Sequence, residues 1–121
     1  MVGVLLLLVC GCSLQSHAAQ QSLEGDWVGT LKLEDRQDRV DVHFRVEQGS
    51  VKGAVDLPLR GQMGLALSSV RLDSPRVSFE WQEKSGGVTF NGRLADGAMS
   101  GEVRQGEAQG TLQLVRIARV D

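Results

Sequence analysis

Cysteine is nearly missing from this 121-residue chain, and the two it has, Cys10 and Cys12, stand together near the start. Whatever folds beyond Cys12 has no internal disulfide to staple it and must be held by packing. Tyrosine is absent, and the remaining aromatics are two tryptophans and three phenylalanines. Sugar-stacking platforms and many protein-binding patches are built from rigid amphipathic rings, so this scarcity argues against both. Basic excess is missing too. A net charge of −2, a pI near 5.7 and no basic stripe with interleaved aromatics argue against nucleic acid as a partner.

Charge itself is missing from the first fifth of the chain, since all 13 basic and 15 acidic residues lie from Glu24 onward. Val2 to Cys12 is almost unbroken aliphatic. Its length of about ten residues suits a signal segment and falls short of the roughly twenty that a spanning helix needs. A basic start is lacking, because Met1-Val2-Gly3 offers only the α-amino group; a start codon misplaced within a longer frame would explain that. Two exits compete. Val9-Cys10-Gly11-Cys12 resembles the lipobox of bacterial lipoproteins, which implies acylation of Cys12, attachment to a membrane through that lipid and, with Ser13 next, sorting to the outer membrane. Ser16-His17-Ala18 before Ala19 instead has the small-x-small pattern of ordinary signal peptidase. The lipobox is favoured. Residues 1–18 are thus assigned to the signal segment, 19–23 to a polar tether and 24–121 to a folded domain.

From Glu24 the dominant pattern is alternation with period two, in about eight runs bounded by Gly, Asp, Asn or Ser. Trp27, Gly29, Leu31 and Leu33 share one face of the first run. Val40, Val42, Phe44 and Val46 alternate with Asp41, His43, Arg45 and Glu47 in the second. Gln48-Gly49-Ser50 and Asp96-Gly97 read as tight reversals, the latter because both residues tolerate positive φ. Pro58 to Ser69 breaks the pattern and is expected to be a long loop or a bulged strand; Leu57, Leu59, Met63 and Leu65 there read as an exposed patch or as a cap on one barrel end, and the cap is favoured. Glycines inside runs, such as Gly29, Gly92, Gly101 and Gly110, suggest sharply bent strands. The expectation is an all-β fold, a small antiparallel meander barrel. A membrane barrel is disfavoured, because the runs are mostly shorter than the nine to eleven residues a membrane strand needs and tyrosine girdles are missing.

Chemistry is hard to find. No G-x-S-x-G elbow occurs, and the one histidine beyond the leader, His43, lies on a charged strand face with Asp41 and Arg45 as same-face neighbours. Glu34, Asp35, Asp38 and Asp41 crowd the expected first turn, but Arg36 and Arg39 sit among them and EF-hand spacing is lacking. No metal, phosphate cradle or cofactor is expected, and the domain reads as non-catalytic.

Gly25-Asp26-Trp27 resembles the G-x-W that opens lipocalin-type barrels. That resemblance implies a tryptophan plugging one barrel end beneath an arginine from the last strand, here Arg116 or Arg119. It also implies a small apolar ligand as a candidate partner. A filled core is nonetheless favoured, since an empty cavity of about 300 Å³ would forfeit on the order of 7 kcal/mol. A broader likeness runs through Gly25 to Leu31, Leu65 to Leu72, Val88-Thr89-Phe90-Asn91-Gly92-Arg93-Leu94, Met99 to Val103 and Leu112-Gln113-Leu114. These blocks resemble the β-rich domain that precedes the catalytic domain in exported bacterial α/β-hydrolases, whose triad belongs to the following domain. Three readings result: an exported, lipid-anchored, non-catalytic module in the periplasm with an accessory or binding role; a lipocalin-like carrier; and the separated N-terminal domain of a secreted serine hydrolase. Under all three, Trp27 anchors the core. Trp27→Ala is expected to cost about 3–5 kcal/mol, and an unchanged melting temperature would place the ring in solvent instead.

Overall fold

The computed structural model describes residues 23–117, and among them nine strands form one antiparallel sheet. In chain order these are β1 (Gly25–Leu33), β2 (Arg36–Glu47), β3 (Ser50–Leu57), β4 (Gln62–Ala66), β5 (Ser68–Asp73), β6 (Arg76–Glu83), β7 (Gly86–Ala95), β8 (Ala98–Gln105) and β9 (Ala108–Arg116). Neighbours in sequence pair antiparallel, except β4 and β5, and β1 also pairs with β9. The result is the nearly closed meander barrel that the alternation predicts.

The strand count differs by one from expectation for a topological reason. In an up-and-down meander the first and ninth strands would run parallel, yet β1 and β9 are antiparallel. The extra strand arises without a reversal. β4 and β5 are separated by Leu67 alone, and they are two halves of one bent strand. The first half pairs with β3 and the second with β6. At the bend Leu67 N–H donates to the Gly53 carbonyl at 2.8 Å, and register shifts lie on both sides, between Val55 and Leu57 and between Ser68 and Arg71. The irregular stretch is therefore a bulged strand preceded by a 3-10 turn at Pro58–Arg60, rather than a long loop. Both halves are short, which keeps the two sheet edges small.

Turn chemistry sets the register elsewhere. Gln48–Gly49 and Asp96–Gly97 each hold two consecutive positive φ angles, 52° and 80° in the first and 50° and 74° in the second. This is the primed geometry that matches strand twist. The reversal at Gln48–Gly49 needs only two residues, and Ser50 already belongs to β3.

Inward positions follow the period of two, and the interior holds all five aromatic residues of the chain. Trp27, Phe44, Phe79, Trp81 and Phe90 are each at most 1% exposed. Phe79 is the hub, with ring centroids 4.9 Å from Phe90, 5.5 Å from Phe44 and 6.0 Å from Trp81. The scarce aromatics are thus spent on filling the barrel. Leu23, assigned to the tether from sequence, is also fully buried, so the packed domain takes in one residue more than expected. Leu57 and Leu65 turn inward as expected of end-capping residues, but Leu59 and Met63 do not. They are 74% and 62% exposed, because the 3-10 turn and the positive φ at Gly61 and Gly64 break the alternation between them.

Close approach of strands explains the glycines inside the runs. Gly92 and Gly101 face one another across β7 and β8. A Cβ on Gly101 would stand 2.2 Å from the Asn91 carbonyl oxygen and 2.4 Å from Gly92 Cα, both backbone atoms that cannot swing aside. Gly101→Ala is expected to destabilise toward the upper end of the roughly 1–3 kcal/mol typical of overpacking. Urea unfolding checks this, and an unchanged midpoint would mean that the strands part without cost.

Candidate functional site

Three groups of polar side chains stand out against the apolar interior. The first closes one barrel end. Trp27 is fully buried at the start of β1, its Nε1–H donates to the Leu23 carbonyl at 3.0 Å, and the Arg116 guanidinium lies 5.2 Å from its ring centroid. Arg116 is the register partner of Trp27 across β1 and β9, which puts the cation over the ring. Arg119, the other candidate, lies outside the described residues, as do the signal segment and the lipidation candidate Cys12.

The opposite end is closed by charge. Asp38 and Glu83 are the buried acids of the described residues, at 5% and 8% exposure. Arg36 bonds Asp38 through Nε and Glu83 through Nη2, the latter at 2.9 Å. Arg60, carried in by the 3-10 turn, donates Nε–H to Asp38 at 2.8 Å. Trp81 donates its Nε1–H to the second Glu83 oxygen at 3.0 Å. Burial pushes the Asp38 carboxyl up, but the hydrogen bonds and charges of Arg36 and Arg60 outweigh it and hold the group below the ordinary carboxylate value of 3.8. Two guanidiniums thus balance two buried carboxylates, with Arg36 mostly buried beside them and Arg60 40% exposed at the rim.

This arrangement corrects the sequence expectation of an acidic turn. The reversal occupies Glu34 and Asp35, and β2 begins at Arg36. Asp38 and Asp41 are an odd number of residues apart in β2 and so face opposite sides, one into the barrel and one outward. Arg36 and Arg39 do neutralise them, Arg39 by an ion pair to Asp41 at 3.4 Å.

The third group lies on the outer face and is the one whose charge can change near neutral pH. His43 on β2 stands between Asp26 of β1 and Asp56 of β3. Its Nδ1 is 2.8 Å from Asp26 Oδ1 and its Nε2 is 3.0 Å from Asp56 Oδ2. Asp56 accepts a further hydrogen bond through Oδ1 from the Gly64 backbone N–H at 2.7 Å. The hydrogen bond to Asp26 is the strongest influence on His43; burial opposes it and Asp56 reinforces it, so the imidazole titrates above its ordinary 6.5. For Asp56 the Gly64 N–H acts most strongly, burial opposes, and His43 adds to the lowering. While the imidazole is protonated, both of its N–H groups are engaged by carboxylates and the three side chains cross-link β1, β2 and β3.

Sequence reading places Asp41 and Arg45 beside His43, as same-face neighbours on one strand, and misses Asp26 and Asp56. The missing information is register. A two-residue turn at Glu34–Asp35 makes positions 26 and 43 equidistant from it, and the Gln48–Gly49 turn sets Ala54 opposite His43 with Asp56 two residues along. Once both turns are located, the cross-strand acids follow.

The charged end generates a stability test. Glu83→Ala leaves Arg36 Nη2 and the Trp81 N–H without their acceptor in a buried place, while Arg36 Nε keeps Asp38. It is expected to cost about 3–5 kcal/mol. Glu83→Gln keeps an acceptor for Trp81 and should cost less, and equal losses in thermal unfolding would mean that charge rather than hydrogen bonding carries the effect.

Comparison with protein families, with curated proteins and with solved structures finds no match, so the functional reading has to come from these residues.

Proposed function

We propose that the chain is an exported, lipid-anchored and non-catalytic β-barrel module that serves a binding or accessory role in the periplasm, held to the outer membrane through Cys12. The observation that supports it best is how apolar surface is divided. The interior is packed with the five aromatics, while Leu59 and Val115 are left 74% and 58% exposed on the outside. Val115 is the register partner of Val28, and Val28 and Leu59 border one open outer cleft with Thr30, Gln37 and Arg39. Recognition at such a barrel would take place on its outer wall. A filled interior also favours this reading over a lipocalin-like carrier, which needs a chamber of a few hundred Å³ to bury its ligand. The lack of a G-x-S-x-G elbow supports the non-catalytic part.

The lipid anchor rests on Val9-Cys10-Gly11-Cys12 and on the uncharged leader. Mass spectrometry of the protein recovered from a Gram-negative envelope is expected to show a mature chain beginning at an acylated Cys12, and Cys12→Ser should leave the membrane fraction. An unmodified N-terminus at Ala19 or Gln20 would overturn the anchor. Native mass spectrometry is expected to find no co-purifying apolar molecule, and a bound lipid displaced by a fatty acid would replace the module reading with the carrier.

A further inference from the structure

We propose that Asp26, His43 and Asp56 form a proton-operated clasp across β1, β2 and β3, closed while His43 is an imidazolium and opened on the Asp26 side when it loses its proton. Ionised carboxylates only accept hydrogen bonds, so two of them on one ring require a donor at both nitrogens. The imidazolium supplies two. A neutral ring supplies one, and its other nitrogen then turns a lone pair toward a carboxylate oxygen about 3 Å away. One contact must open.

The geometry decides which. Asp56 is fixed from two sides, by His43 and by the Gly64 N–H, and its side chain is 16% exposed. Asp26 has a side chain 40% exposed, where water can take over from the imidazole N–H. The neutral ring therefore keeps its proton on Nε2 for Asp56 and releases Asp26.

Other charges on this face do not take over the role of His43. From β2, Asp41, Arg45 and Glu47 flank it; from β3, Lys52 does; β4 carries no charged residue and contributes the Gly64 N–H. Asp41 is the register partner of Asp56 and is itself paired with Arg39. Loss of the His43 charge thus leaves Asp26, Asp41 and Asp56 on neighbouring strands, with Arg45, Lys52 and Glu47 further toward the Trp27 end. Asp26 immediately precedes Trp27, and its carbonyl accepts the Ile117 N–H at 2.8 Å, so release acts where the chain leads into the barrel.

The pH dependence has a definite sign. A histidine whose folded pKa is raised stabilises the fold fully below its unfolded value of about 6.5, and the contribution disappears as pH rises through the folded value. NMR titration of the labelled, exported protein tests the clasp, with His43→Gln used to assign the ring signals. The expected result is a His43 midpoint above 6.5, an Nε2–H tautomer above that midpoint, and an Asp26 carboxyl carbon that shifts with the same midpoint while the Gly64 amide stays in place. The melting temperature should fall through that range in the parent and not in His43→Gln. A midpoint at or below the ordinary histidine value would overturn the clasp, and so would an Nδ1–H tautomer with Asp56 moving in place of Asp26. The parent titration needs no variant to fold, so a collapsed His43→Gln protein would still leave the first three outcomes decisive.

Discussion

Closure of this barrel depends on the bend at Leu67. Among the described residues, every strand pairing but one joins neighbours in sequence, and such pairings form at small entropic cost because little chain is fixed between their ends. The exception is the ladder between β1 and β9, which brings the two ends of the described chain together. That ladder is antiparallel only because β4 and β5 share a direction, and they share it because the chain passes from the β3 edge to the β6 edge without a turn. The Leu67 to Gly53 hydrogen bond marks the place where the strand changes partner. A reversal there would send β9 up the wrong way and undo the pairing of Trp27 with Arg116.

Much of this is written in local sequence. Period-two runs, the Asp96–Gly97 dipeptide and the glycines inside strands identify an antiparallel meander with tightly approaching strands. What local pattern cannot carry is any feature that depends on how many residues a turn consumes. Asp38 reads as one more acid in a hydrophilic turn until β2 is known to start at Arg36; it then falls on the inward face, beside Val40 and Val42. Likewise His43 reads as a wet strand histidine until two turns fix its cross-strand neighbours. Leu23 escapes for a different reason. One apolar residue at the end of a polar stretch has no period; the structure buries its side chain in the core and docks its carbonyl on the Trp27 N–H.

The two barrel ends solve the same problem with different chemistry. One is sealed by a tryptophan under a cation, where most of the free energy is apolar burial. The other holds two carboxylates and two guanidiniums, and taking such groups out of water costs several kcal/mol per ion before pairing offsets it. Well-packed apolar side chains in place of such a network often match or exceed its stability. The ionic lid adds direction, because Asp38 accepts only what Arg36 and Arg60 can deliver, and Arg60 reaches it only when the 3-10 turn at Pro58–Arg60 is in place. The network therefore ties the irregular segment before β4 to the regular strands β2 and β6.

Choice of cation separates this lid from the clasp on the outer wall. Arginine does not give up its proton in proteins, so a lid built on Arg36 and Arg60 keeps its charge at every pH the fold survives. The lid weakens at the acid end, as Asp38 takes up a proton below its lowered value and the stability it contributes is lost; Asp56 of the clasp behaves in the same way. Histidine in the lid would surrender its charge near neutrality and strand two buried acids. Arginine at position 43 would never release Asp26. The chain thus places the permanent cations where loss of charge would open the core and its titratable one where loss of charge frees a half-exposed carboxylate beside the Trp27 end. The mildly acidic range, above the carboxylate transitions and below that of His43, is where all of these contacts hold together.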